Sequence, residues 1–442
     1  MKLMPKVIIV GGGVHGTFLS HALTRSAALE RDEITVIDPH PQPLAVWKHQ
    51  TRNTGMSHLR SPSSHNMDID FHALRNYARG KASTGGHGEI GGHADGADAF
   101  IAPYARPALS LFNEHAEATI EARRLTEMRR RGRVHEVEAT QDGVLVSTET
   151  ERYGADYVIL AVGRTEMPHI PRWARAAEHP AVRHIFATDF SPDMLGQARA
   201  PVVIGGGVTA VQAACNAARR ADTTVVMFAR KSISVEQFDS APCYIGPRCL
   251  QSFLATQTAA QRRRLIDAAR RPGTVPWDVA RALEEESRVT VTEDDIAEAE
   301  PHGEFVRLYP SNGSSPVDSD LVVLATGFER DVPLGGIVRH LAQQHGLPRG
   351  PLGYPMPDRY LRWHPRVLVS GSLAELELGP AAPNIIGAHL GARRLVPFFA
   401  AHDGRNGTAA NRGLGDEIAW TALTHYVDSS DLGSPSDLTA PQ

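Results

Sequence analysis

The sequence predicts an α/β protein built from two Rossmann-like, three-layer dinucleotide-binding domains, the second inserted into the first. Three observations carry that expectation. A strand, a glycine turn and a helix open the chain. A near copy of that unit begins at Pro201. Two further apolar strands, Asp156 to Gly163 and Asp320 to Phe328, each end on small residues.

The opening strand, Val7-Ile8-Ile9-Val10, has no polar alternation, as a parallel strand covered on both faces requires. Gly11, Gly13 and Gly16 then stand where a side chain would block a tight turn, a pyrophosphate, or the packing of helix on strand. The helix beginning at Val14-His15 aims its unpaired N–H groups at a phosphate. Ile34-Thr35-Val36-Ile37 is the next strand, and Asp38 at its tip, followed by Pro39, suits a ribose diol and repels a 2′-phosphate.

The second unit inverts that chemistry. Pro201 to Ile204 is its strand, and Gly205-Gly206-Gly207-Val208-Thr209-Ala210 its turn, with alanine at the third glycine position. Thr224 to Phe228 ends on Ala229-Arg230-Lys231, two cations where the first unit has an acid. Such a tip calls for a 2′-phosphate, and so for NADPH.

Between and after these units the pattern is less regular. Trp47 and the stretch Gly55 to Pro62 read as a ligand-bearing loop. Residues 80–97, rich in Gly, His and Ala, read as a surface insertion in which His87 and His93 lack metal-ligand spacing. Pro107 to Leu125 reads as a helix, and Val134 to Thr148 as a hairpin turning at Asp142-Gly143. Ser232 to about Glu300 is expected to be mostly helical, with a break at Arg271-Pro272-Gly273. Val367 to Gly371 is a strand returning to the first domain, and Leu378 to Asn384 leads into a helix near Ile385. The expected boundaries are 1–170 and 331–427 for the first domain, 171–330 for the second, and a frayed tail over 428–442.

Composition narrows the function. The 442 residues are 42% hydrophobic with a formal net charge of −4, which argues against nucleic acid as a partner. Arg129 to Arg131 and Arg262 to Arg264 read as solvated helix faces. No apolar run of membrane-spanning length occurs, and the first strand follows the N-terminus almost at once, so a cytoplasmic protein is expected. Cys215, Cys243 and Cys249 form neither a Cys-x-x-Cys pair nor a zinc site, and a protein without a dithiol and without a metal is expected. Gly-x-Ser-x-Gly, His-Glu-x-x-His and Walker motifs are missing, which leaves hydrolase and NTPase readings without support.

Taken together, these motifs resemble the two-dinucleotide-binding-domain flavoproteins. That resemblance, rather than spacing, assigns FAD to the first unit and NADPH to the second. Asp320-x-x-x-Leu324-Ala325-Thr326-Gly327-Phe328-x-x-x-x-Pro333 looks more narrowly like the signature of the N-hydroxylating flavin monooxygenases, the ornithine and lysine N-hydroxylases. Trp47 followed by Leu59-Arg60-x-Pro62 looks like their flavin-contacting segment. The resemblance implies further FAD contacts at Met56, Leu59, Arg60, Ser61, Gly163, Gly327, Gly371 and Leu378. It also implies a flavin C4a-hydroperoxide attacked by a neutral primary amine, with O₂ as co-substrate. The chain departs from the family at three places. Thr54 aligns with a substrate-binding lysine, Val235-Glu236-Gln237-Phe238 lacks the asparagine of a Val-Asn-Glu-x-Phe run, and a C-terminal Leu-Leu-Ser segment is not evident.

The amine pocket is expected between Met56, Ser57, His58 and Arg60 on one side and Gln237, Tyr244 and Asn384 on the other. His58 either takes the amine proton or is a structural histidine, and both readings stand at this point. The rivals are Baeyer–Villiger or sulfur oxygenation, a plain NADPH-dependent reductase, and a flavin-binding scaffold. The segment His184 to Phe190 lacks the glycine of the Baeyer–Villiger fingerprint. A homo-oligomer is left open.

Overall fold

The computed structural model describes residues 5–26, 28–83, 99–164 and 166–402. Most of the 80–97 insertion, with His87 and His93, and the 428–442 tail lie outside the described residues.

Val7–Val10 is buried on both faces and pairs in parallel with Ile34–Asp38 on one side and Tyr157–Leu160 on the other. Arg129–Arg131 extends the sheet beyond Asp38, while Val367–Val369 and Arg362–His364 extend it beyond Leu160, giving six strands. Successive strands leave Val7–Val10 in opposite directions, so a crevice opens at their carboxyl ends. The helices Val14–Arg25 and Ile385–His402 pack on each other over this sheet.

A second sheet repeats the plan. Its order is Val182–His184, Leu321–Leu324, Pro201–Ile204, Val225–Ala229 and Val289–Glu293, all parallel. Each strand–turn–helix unit thus stands at the centre of its own sheet, as the glycine pattern implies. The hairpin is also present: Val134–Ala139 pairs with Val144–Thr148, and Arg152–Ala155 adds a third strand.

Three expectations are corrected. The 232–300 segment is helical over Pro247–Ala255, Ala259–Ala269 and Trp277–Glu285, but Val289–Glu293 and Ile296–His302 are strands. The Val-Thr-Val-Thr run there pairs with the edge of the second sheet, and that pairing decides its conformation. The arginine runs are solvated helix faces only in part: Arg264 is exposed on the helix Ala259–Ala269, and Arg130 and Arg131 are exposed but on a strand. Arg129–Arg131 is an edge strand with the Arg129 side chain 7% exposed, and Arg262 and Arg263 form ion pairs with Glu377 and Glu375. Finally, Cys243 and Cys249 are joined as a disulfide, so the chain does hold a cysteine pair, in oxidised form; Cys215 is free and buried.

Glu375 explains how the helical segment is fixed to the first domain. Its carboxylate is fully buried and accepts from Arg263 and Arg270, each at 2.6 Å, with Arg164 at 3.4 Å. Arg164 follows Gly163 and Glu375 follows Gly371, so one charge cluster ties three chain segments together behind the crevice. Removing that acid leaves three guanidinium groups without their counter-charge. Glu375→Ala is expected to destabilise the protein by about 3–5 kcal/mol in denaturant unfolding. Glu117→Ala, which breaks an exposed pair with Lys48, should cost under about 1 kcal/mol. Equal losses would show that the cluster adds nothing by being buried.

Candidate functional site

The first glycine turn is shaped by two contacts that only glycine permits. Gly11 has φ +105°, and a Cβ there would stand 2.7 Å from the carbonyl oxygen of Ala161. A Cβ on Gly16 would lie 1.8 Å from the carbonyl oxygen of Gly11, so the helix rests directly on the turn. Gly16 thus serves packing. Gly13 caps the helix with no side-chain hydrogen bond, and nothing stands within 4 Å of its Cβ position. The uncapped N–H groups of this helix therefore face open space, as an anion site needs.

That space is a cavity of about 830 Å³. Of the residues expected to hold a cofactor, Gly11, Gly13, Val14, His15, Asp38, Pro39, Trp47, Gly163 and Gly371 line it. Asp38 accepts from the backbone N–H groups of Gly12 at 2.7 Å and His40 at 2.8 Å, and Arg129 lies 3.4 Å away. Each carboxylate oxygen still has lone-pair capacity for a ribose hydroxyl. Trp47 is oriented by its indole N–H, which donates to Asn113 Oδ1 at 3.0 Å.

His15 joins the glycine turn to the C-terminal return. Its Nε2–H donates to the carbonyl of Asn384 at 3.1 Å, and Nδ1 accepts from the hydroxyl of Ser370 at 3.2 Å. The neutral ring is fully satisfied, and burial lowers its pKa to about 4. Burial likewise takes His389 down to about 4 and His65 to about 3.

Other expected contacts lie outside the cavity lining. Leu59 and Leu378 are core residues, 2% and 1% exposed. Gly327 forms a turn whose carbonyl accepts from the N–H of His169. Met56 and Ser61 do not line the cavity. Arg60 is turned away from it: Nε donates to Gln237 O, Nη2 to Glu236 O and Thr274 Oγ1, and Nη1 to Thr274 O. A guanidinium has five N–H donors, so at most one remains for a ligand. Asn384 donates from Nδ2 to Asp239 Oδ1 at 3.2 Å, and half-buried His58 has Nδ1 3.3 Å from Ser57 Oγ.

Sequence reading missed Arg133, Val134, Leu334, Arg339, Ser372 and Pro383, all in the cavity wall. Val134 and Pro383 lay within segments already singled out, but not as ligand positions. Arg133 precedes the hairpin, Ser372 follows Gly371 of the returning strand, and Leu334 and Arg339 lie just beyond the Asp320 to Pro333 signature, so none stood within a ligand motif. Arg129 was also missed, because only the pairing of its strand beside Asp38 reveals it.

At the second turn Gly205 has φ +144°, and its would-be Cβ meets the Ala325 carbonyl at 2.5 Å. Val208 and Thr209 begin a helix capped by Gly207 without a side-chain bond. Arg230 and Lys231 are exposed at the tip of Val225–Ala229. One acid does come near: Glu293 of the adjoining strand accepts from the Ser232 hydroxyl at 2.9 Å.

Two nucleotide units on parallel sheets, one with an acid tip and one with a cationic tip, define a flavin- and pyridine-nucleotide-binding oxidoreductase. Residues 96–345 match the pyridine nucleotide-disulphide oxidoreductase family, and the chain belongs to that family. Residues 8–165 match an FAD-NAD(P)-binding family, in keeping with FAD and a pyridine nucleotide as its cofactors. No curated protein matches the chain in sequence.

Its fold is similar to that of an ornithine N-hydroxylase from Kutzneria sp. 744, with TM-score 0.71 and 16% identity over 91% of this chain and 100% of that one. It is also similar to a cadaverine monooxygenase of desferrioxamine biosynthesis from Erwinia amylovora, at 0.66 and 14%, covering 90% and 95%. L-lysine 6-monooxygenase from Pseudomonas syringae gives 0.65 and 18%, covering 90% and 99%. Among the described residues, no helix is long and apolar enough to cross a membrane.

Two outcomes follow from this geometry. Arg230→Ala should raise the KM for NADPH about tenfold and leave that for NADH within about twofold, since one charge-assisted contact to a 2′-phosphate is lost. The buried histidines set an acid limit. Their folded pKa values lie below the ordinary 6.5, so their contribution is complete above pH 6.5 and is lost as pH falls towards 4. Each is worth roughly 3 to 5 kcal/mol at most. The melting temperature is expected to drop steeply between pH 6.5 and 4, and His65→Gln should flatten that drop.

Proposed function

We propose that the protein is an FAD- and NADPH-dependent monooxygenase that hydroxylates a primary amine. The observation that supports this most is the presence of two nucleotide units with opposite tip charges, Asp38 in one and Arg230 with Lys231 in the other, on a fold that runs the full length of an ornithine N-hydroxylase. The segment Glu236 to Asp239, beyond the cationic tip of the second unit, is tied to residues of the first. Arg60 holds its backbone from the first domain, and Asn384 meets it through Asp239.

Gln237 in that segment has both polar side-chain atoms buried without a partner among the described residues. An amide so placed has its full hydrogen-bonding capacity to offer a bound substrate. Arg60 acts as a positioning residue, since its donors hold main chain. The flavin supplies the oxygen-transfer chemistry when bound.

The chain's own task is to present the amine without its proton. A free alkylammonium has a pKa of about 10.4, so only roughly one molecule in two thousand is neutral at pH 7. Desolvation against the half-buried Met56–Arg60 segment lowers that pKa. His58 on this segment takes the proton. His58→Asn should therefore shift the pH profile of hydroxylation while flavin reduction by NADPH is unchanged; an unmoved profile would make His58 structural.

The Cys243–Cys249 disulfide favours a second reading, an NADPH-dependent disulfide reductase. Neither cysteine lines the flavin cavity, which weighs against direct electron transfer to the pair. The test is NADPH oxidation by the flavin-loaded protein with and without O₂, over amino acids and diamines. Oxygen-dependent consumption with hydroxylamine formation is expected. Oxygen-independent consumption that frees two thiols would establish the reductase instead.

A further inference from the structure

The two glycine turns share a plan but not their surroundings. Gly13 faces the open cavity, with nothing within 4 Å of its Cβ position. The same construction at Gly207 meets Gly273 Cα at 3.1 Å and Gly273 C at 3.7 Å. Main chain thus stands at the second turn where, at the first, there is room for a diphosphate. Gly273 belongs to the exposed turn Arg271-Pro272-Gly273, has φ +74°, and itself has nothing within 4 Å of its Cβ position. A turn with free space on its outer side and glycine at its tip can lift without unpacking a core.

The turn is tethered at both ends rather than buried. Ser234–Val235 pairs in parallel with Thr274–Val275, and the N–H of Arg271 donates to Asp239 O at 2.8 Å. Arg60 holds Thr274 from the first domain. The Arg271 guanidinium pairs with Glu236, and the two side chains are 51% and 38% exposed. An exposed pair of this kind adds little stability, so it exchanges readily for a stronger anion. A diphosphate is such an anion, because it can take a guanidinium in bidentate fashion.

We propose that Arg271-Pro272-Gly273 is the diphosphate flap of the second nucleotide site. Nucleotide enters against Gly207 by lifting Gly273, and Arg271 leaves Glu236 for the diphosphate. The assignment rests on the second unit being the NADPH site. It separates two cationic roles: Arg230 and Lys231 read the 2′-phosphate, whereas Arg271 reads the part that NADPH and NADH share.

The test uses the full chain loaded with FAD and measures the Kd of each nucleotide by calorimetric titration with the unreactive NADP⁺ and NAD⁺, beside the apparent constants of NADPH and NADH from anaerobic flavin-reduction rates. Arg271→Ala is expected to raise both constants about tenfold and leave their ratio unchanged. Glu236→Gln is expected to lower both about threefold, because it frees Arg271 while the backbone carbonyl of residue 236 keeps its bond to Arg60. A variant that merely damaged the fold would not tighten binding. Unchanged constants in Arg271→Ala, a loss confined to NADPH, or weaker binding in Glu236→Gln would each overturn the flap. If the unsubstituted protein is reduced by neither nucleotide, the NADPH reading fails first and takes the flap with it.

Discussion

The site depends on one close approach, Gly16 lying against the carbonyl of Gly11. That contact seats the Val14–Arg25 helix on the end of the Val7–Val10 strand and leaves its first N–H groups without side-chain caps. Around it the parallel sheet brings Asp38, Gly163 and Gly371 to the same edge, each from the carboxyl end of a different strand. An anion-seeking helix end, an acid for a ribose and small residues for a flat ring therefore converge without any long-range design beyond strand order.

The second layer of organisation is electrostatic. Glu375 and Glu377 bind three arginines of the helical segment, and Arg106 binds Asp278 through both its terminal nitrogens at 2.5 and 2.8 Å. These charges are desolvated, so their value lies in geometry as much as in stability. They fix the 232–285 segment to the first domain, and Arg60 adds hydrogen bonds to its main chain. That segment thus belongs to the second sequence unit but is held in place by the first.

Both sheets, both glycine turns and the contrasting tips at Asp38 and Arg230 were legible in the sequence, because each rests on local chemistry: apolar runs, glycines and tip charges at fixed spacing. What could not be read depended on contacts distant in sequence. Arg60 looked like a ligand residue because of its neighbours Leu59 and Pro62, yet its partners lie at positions 236, 237 and 274. Arg263 looked solvated because nothing near it in sequence is acidic except Asp267, while its main partner is 112 residues away. The Cys243–Cys249 pair fits no motif and becomes evident only when a short helical turn brings the two residues together. Val289 to Glu293 failed as a helix because a sheet edge was waiting for it.

The central claim is that one flavin serves two nucleotide sites of opposite phosphate preference. The most direct measurement is anaerobic mixing of the purified yellow protein with NADPH or NADH at equal concentration, following the loss of flavin absorbance. The account predicts bleaching that is much faster with NADPH. A colourless protein, or equal rates with the two nucleotides, would contradict it.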